Sequence, residues 1–153
     1  MPTTSRIPPG EGAPTPYLIV NRAAAAIAFY QKVFDATETM RFETAGKVSH
    51  AELKIGTGSI MLAGENESVE AYSPLKLGGS PISLMLYVED PDAVFDRAIA
   101  SGATVIRPVR DETHGTRMGG FTDPFGHKWW VACRLEELSV AEIEERLNQQ
   151  PSH

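Results

Sequence analysis

His50 and Glu52 are the residues best spaced to act together. They stand two apart within Val48–Ile55, so in an extended strand both leave one face while Ala51, Leu53 and Ile55 take the other. An imidazole beside a carboxylate can orient a ligand as a hydrogen-bonded pair, or give two donors to a divalent ion if a second-half histidine completes the set. The other histidines are scattered. His114 lies in the polar stretch Asp111–Gly115, His127 follows the Asp123-Pro-Phe-Gly126 turn, and His153 ends the chain. Arg107 and Arg117 could meet an acidic ligand or sit in solvent. The one cysteine, Cys133, excludes an internal disulfide and a Cys-rich zinc site, and reads as a small apolar residue near a strand end.

Holding such residues in place needs a core, and the composition supplies one. The chain has 153 residues, 42% hydrophobic and 22% charged, a globular makeup long enough to fold without staples. Fourteen Lys and Arg against twenty Asp and Glu give a net charge of −6, a field that does not draw nucleic acid or an anionic membrane. No stretch approaches a membrane span of ~20 apolar residues, and Met1–Pro16 lacks the apolar centre of a signal peptide, so a cytoplasmic location is expected. Residues 1–14, rich in Pro and Gly, read as a disordered arm.

Between the ends the chain repeats. Tyr17–Val20 is a short β-prone run, and Ala23–Phe34 is a helix with Ile27, Tyr30 and Phe34 on one face. Strands are expected at Thr37–Glu43, Val48–Ile55 and Ser59–Ala63, parted by turns at Thr44–Gly46 and Gly56–Gly58. The second unit runs the same way. Ser83–Val88 opens it, Pro91–Ser101 forms a helix capped by Asp90, and strands follow at Thr104–Val109, His114–Thr122 and Lys128–Arg134. Val20 matches Val88 at an offset of 68 and Ala63 matches Ala132 at 69. The fold class is therefore α+β. Two βαβββ modules, 15–63 and 82–134, form one domain over 15–134 and pair as an open barrel-like concave sheet with helices on the convex side. The acidic connector 64–81 reads as a flexible crossover or lid. A C-terminal helix over 139–148 is signalled by the Ser139/Glu142 capping box, with Ile143 and Leu147 on one face.

The blocks PYLIVNRAAAAIAFYQKVFDA, HAELKIG, LYVEDPDAVFDRAIASGA and DPFGHKWWVA resemble the vicinal oxygen chelate superfamily. That group holds glyoxalase I, ring-cleaving dioxygenases, and bleomycin- and fosfomycin-resistance proteins. The likeness covers about 15–134 and is greatest to the PhnB-like branch. It implies a homodimer with two pockets and, in metal-dependent members, one divalent ion held by two residues from each module. Carried over, those positions are Thr15 and Ser83, where His or Gln is expected, and Met61 and Trp130, where Glu is expected. None of the four is a credible ligand for a hard or borderline cation. The standard metal site is thus expected to be absent, leaving His50 and Glu52 as a shifted alternative. Arg22 also departs from the family's Asp after the first strand, which deprives the first helix of its cap.

Strand alternation puts Leu18, Val20, Leu84, Leu86 and Val88 toward the helices. The inward set is then Tyr17, Ile19, His50, Glu52, Met61, Met85, Tyr87 and Trp130, with Trp129 pointing the opposite way. Aromatic and thioether groups with a few polar atoms suit a small-molecule pocket; the same residues could instead simply fill the barrel. Three functions stay open. One is metal-free binding of a small apolar or aromatic molecule, with no cofactor. The second is a divalent-metal lyase, isomerase or dioxygenase at His50/Glu52. The third is a structural or regulatory dimer.

Overall fold

The computed structural model describes residues 3–150; His153 lies outside them. Each module is a βαβββ unit. The first comprises β1 (Tyr17–Val20), α1 (Ala23–Phe34), β2 (Thr37–Thr44), β3 (Lys47–Ile55) and β4 (Gly58–Gly64). A connector with the short helix α2 (Pro74–Leu77) leads to the second: β5 (Ser83–Tyr87), α3 (Pro91–Ala100), β6 (Thr104–Asp111), β7 (Thr116–Thr122) and β8 (Lys128–Arg134). Helix α4 (Val140–Asn148) follows. The modules form two open mixed sheets of four strands, ordered β1-β4-β3-β2 and β5-β8-β7-β6. Neither closes into a barrel. The sequence repeat recurs as a repeat of register: Tyr17 pairs with Met61 in the first sheet, and their equivalents Met85 and Trp130 pair in the second.

Helix α1 is more than the cover of its own sheet. Ala26, Ile27, Phe29, Tyr30, Val33 and Phe34 are all buried, an arc of roughly 160° at 100° per residue and wider than one packing face needs. Its rings reach into the other module. Phe34 lies 4.5 Å from Trp129 and 6.2 Å from Phe121, centroid to centroid, and Tyr30 lies 5.4 Å from Trp129. Arg97 of α3 donates to the Val33 carbonyl at 3.0 Å, tying the helices together. Both helices thus sit between the two sheets, and one core joins Leu18, Val20, Leu53 and Leu62 to Phe121, Trp129 and Val131.

The centre of that core is a carboxylate. Asp123 is 4% exposed and accepts four hydrogen bonds. Oδ1 takes the backbone N–H groups of Phe125 and His127, both at 2.9 Å, which shapes the β7–β8 turn. Oδ2 takes the Tyr30 hydroxyl at 2.5 Å and the Trp129 indole N–H at 2.9 Å. Burial, and then the Asp123 charge, push the Tyr30 phenol well above its ordinary range, so it stays a donor. The turn read from sequence as a local device therefore also clamps the two modules. His127 adds a second tie, its Nε2 lying 2.9 Å from the Ile19 carbonyl oxygen of β1.

The ends follow local chemistry. Asp90 caps α3 by accepting from Ala93 N–H at 3.1 Å. Arg22 makes no side-chain cap on α1 and instead sits 5.4 Å over the Phe125 ring. Ser139 and Glu142 form the expected capping box of α4, which has no buried residue. The connector is more built than its composition suggests. Asn66 bridges Ala71, the buried Ser73 hydroxyl donates to Glu65, and α2 rests on the β7–β8 turn. That contact explains Gly126, where φ is +93° and a Cβ would stand 2.8 Å from Pro74. Residues 3–16 carry no helix or strand.

Removing the buried acceptor leaves four donors stranded. Asp123→Ala is expected to cost about 3–5 kcal/mol and Tyr30→Phe about 2 kcal/mol in urea unfolding. A cost below about 1 kcal/mol for Asp123→Ala would show that this carboxylate does not hold the modules together.

Candidate functional site

The faces turned away from the helices carry the candidate residues in rows. In the first sheet Tyr17, Met61, Glu52 and Met40 are cross-strand partners in one row. Ile19 pairs with Ala63 and His50 with Phe42 in the next. Their strand neighbours Leu18, Ala51 and Leu62 are buried on the helix side, which fixes the parity. In the second sheet the matching row is Met85, Trp130, Gly120 and Arg107, followed by Tyr87, Ala132, Met118 and Arg110. Tyr17, Met85 and Tyr87 are 49%, 50% and 65% exposed, while Ile19, Met61 and Trp130 are half-buried. Trp129, with the opposite parity, lies in the core.

Three polar groups on the first face are linked. The Tyr17 hydroxyl is 2.6 Å from His50 Nδ1, and His50 Nε2 is 3.3 Å from Glu52 Oε1. A carboxylate only accepts, so Nε2 carries the proton; in the neutral ring Nδ1 is then an acceptor and Tyr17 donates to it. Burial, and then the Glu52 charge, raise the Tyr17 phenol above its ordinary value, which keeps that donor in place. Phe42 stacks on the imidazole with centroids 6.1 Å apart.

The second face is built around Trp130. Its indole lies flat over Gly120, where a Cβ would come within 2.8 Å of the ring. The Arg107 guanidinium stacks 5.0 Å from the indole centroid and pairs with Glu112. Arg107 Nε and Nη2 are nevertheless buried without a hydrogen bond of good geometry. Gly120, Met40, Phe42 and Met118 are members of these faces that the sequence reading did not include. Met40 and Phe42 carry the same i, i+2 signal as His50 and Glu52, whereas nothing local in Gly120 announces its role.

The other named residues are engaged elsewhere. Arg117 is held by Asp92 at 2.7 Å and Asp111 at 2.8 Å; the guanidinium in turn keeps the Asp92 carboxyl below its usual range. His114 stays in its loop before β7. At the family's metal positions, Thr15 precedes β1, Ser83 opens β5 opposite Lys128, Met61 offers a thioether, and Trp130 turns a ring without a free lone pair over Gly120. These four do not fit a divalent ion. His50 and Glu52 already face each other and Tyr17, and no cluster of three His, Cys, Asp or Glu suited to a metal occurs among the described residues.

One shared concavity was expected, but a single chain does not close one. With α1 and α3 between the sheets, the Tyr17 face and the Trp130 face look away from each other. A cleft of about 770 Å³ lies between residues 10–16, the β3–β4 turn and β5, reaching Met85 and Tyr87; neither His50, Glu52 nor Trp130 lines it.

Comparisons with known proteins agree with this architecture. A family model described as the Glyoxalase/Bleomycin resistance protein/Dioxygenase superfamily matches residues 13–131. The uncharacterized protein Rv0887c of Mycobacterium tuberculosis is 39% identical over 144 residues, spanning 92% of this chain and 85% of the relative. Among solved structures, TioX from Micromonospora sp. ML1 superposes with a TM-score of 0.63 at 25% identity, covering 84% of this chain and all of TioX. The fosfomycin resistance protein FosX of Listeria monocytogenes gives a TM-score of 0.61 at 19% identity over 86% of this chain and 97% of its own, a likeness of fold alone.

The tight seat of the indole gives a direct check. Gly120→Ala should cost about 1–3 kcal/mol by overpacking and alter the near-UV circular dichroism of Trp130. An unchanged spectrum with wild-type stability would contradict the packing described.

Proposed function

The chain belongs to the glyoxalase/bleomycin resistance protein/dioxygenase superfamily, and within that family we propose that it binds a small, planar aromatic molecule without using the standard metal positions. The observation that carries this reading is the pair of uncovered faces. Tyr17, Met85 and Tyr87 stand about half exposed in a single chain, beside Met61 and Trp130. Exposed apolar side chains on each face mark a place where something docks, and flat rings with thioethers suit a planar guest. Ile19, His50 and Glu52 complete the lining, the last two giving the few polar atoms that orient a ligand.

A second copy of the chain completes the pocket in this proposal. The two faces of one chain are separated by α1 and α3, so the first-sheet face of one protomer meets the second-sheet face of its partner. A two-fold axis then generates two equivalent pockets and closes the assembly. The PhnB-like branch and a cytoplasmic location belong to the same proposal; no helix among the described residues is long and apolar enough to cross a membrane.

Sedimentation and fluorescence titration test the proposal together. The protein should sediment as a dimer, and planar aromatics such as 4-nitrophenol should quench its tryptophan emission saturably. Trp130→Ala should weaken that binding at least tenfold. A monomer, or unchanged affinity in Trp130→Ala, would overturn the pocket. Saturable dimer formation without any ligand binding would leave a purely structural dimer. Metal analysis of untagged protein covers the remaining reading: one equivalent of Zn²⁺ or Mn²⁺ that is lost in His50→Ala would contradict metal-free binding.

A further inference from the structure

We propose that Tyr17, His50 and Glu52 form a proton-transfer chain that ionises an aromatic hydroxyl on the bound molecule, an inference that rests on the pocket proposed above. The three groups are joined end to end: hydroxyl to Nδ1 at 2.6 Å and Nε2 to carboxylate at 3.3 Å. Their order is that of a base oriented by an acid partner, with the reactive oxygen at the open end. Tyr17 is the half-exposed member, while the His50 and Glu52 side chains keep only 23% and 27% of their surface.

The internal repeat supplies an independent argument. The second module builds the same strands in the same register with Met85 in place of Tyr17, Met118 in place of His50 and Gly120 in place of Glu52. A βαβββ sheet thus needs none of these polar groups. Their presence in one half, already linked, points to chemistry and not to sheet construction.

The geometry also selects the substrate class. The ligand hydroxyl gives its proton to Tyr17 Oη as the Tyr17 proton passes to His50 Nδ1. The ligand becomes a phenolate, the ring an imidazolium, and Glu52 stabilises that charge through Nε2–H; no proton or electron is left over. Imidazole is a weak base, so a group that protonates it must be a far stronger acid than an alcohol. Simple alcohols are too weak. Carboxylic acids are ionised already and would be repelled by Glu52. Aromatic hydroxyls bearing electron-withdrawing groups remain, and their flat rings suit Trp130.

The test uses 4-nitrophenol, whose phenolate absorbs in the visible, with the full-length protein at a pH where the free probe is mostly protonated. Wild-type protein should raise the phenolate band as tryptophan quenching saturates. Tyr17→Phe should lower the band at least tenfold at saturation while quenching persists. His50→Gln and Glu52→Gln, which remove the positioning groups, should lower it with quenching likewise retained. Quenching without a phenolate band in the wild type, or an undiminished band in Tyr17→Phe, would overturn the chain and leave the pocket standing. Absence of quenching would overturn the pocket itself, and the chain with it.

Discussion

A buried carboxylate needs donors on every side, and Asp123 finds them in three separate parts of the chain: its own turn, β8, and α1 of the other module. Desolvating such a group is costly unless it is fully hydrogen-bonded, so the arrangement permits little freedom. Tyr30 must reach across from α1, which puts Phe34 against Trp129 and Phe121. That in turn sets the helices between the sheets and leaves the opposite faces of both sheets uncovered. Exposure of Tyr17, Met85 and Tyr87 is thus a consequence of how the modules are clamped, and the open faces are where function can reside.

The repeat presents two different faces on one scaffold. Both modules keep the strand order and the pairing of the first strand with the last. On that common frame the first face carries hydrogen-bonded polar groups among apolar ones, and the second carries an indole seated on a glycine. Gly120 and Glu52 occupy equivalent places, so the loss of a side chain in one half makes the room that Trp130 fills. Arg107, stacked on that indole and paired with Glu112, extends the flat surface and does not stand as a free cation. At two of the family's metal positions stand Met61 and Trp130, a thioether and an indole where an ion would need a carboxylate.

Much of this was legible in the residues because it depends on local periods. Helices α1 and α3, the eight strands, the cap at Asp90 and the box at Ser139 all follow from 3.6- and 2-residue patterns and their end signals. Alternation also placed His50 with Glu52 and parted Trp130 from Trp129. What stayed hidden involves contacts between parts of the chain that no local period relates. The Ala-rich stretch of α1 gave a three-residue stripe, yet the helix buries six residues because it serves two sheets. The Tyr17–His50 bond crosses diagonally between strands that are not neighbours. Order in the acidic connector comes from Ser73, Glu65 and the approach of Pro74 to Gly126, which composition does not encode.

The central claim is that one face from each of two chains makes the pocket, and mixing two damaged chains tests it most directly. A chain altered on the first face, His50→Ala with Tyr17→Ala, and a chain altered on the second, Trp130→Ala, should each fail to bind 4-nitrophenol. After partial denaturation and joint refolding at equal amounts, half the dimers are mixed and each mixed dimer holds one intact pocket. The account predicts recovery of about a quarter of the wild-type binding sites at wild-type affinity. Recovery of none, with mixed dimers demonstrably present, would show that each pocket is made within a single chain and would contradict it.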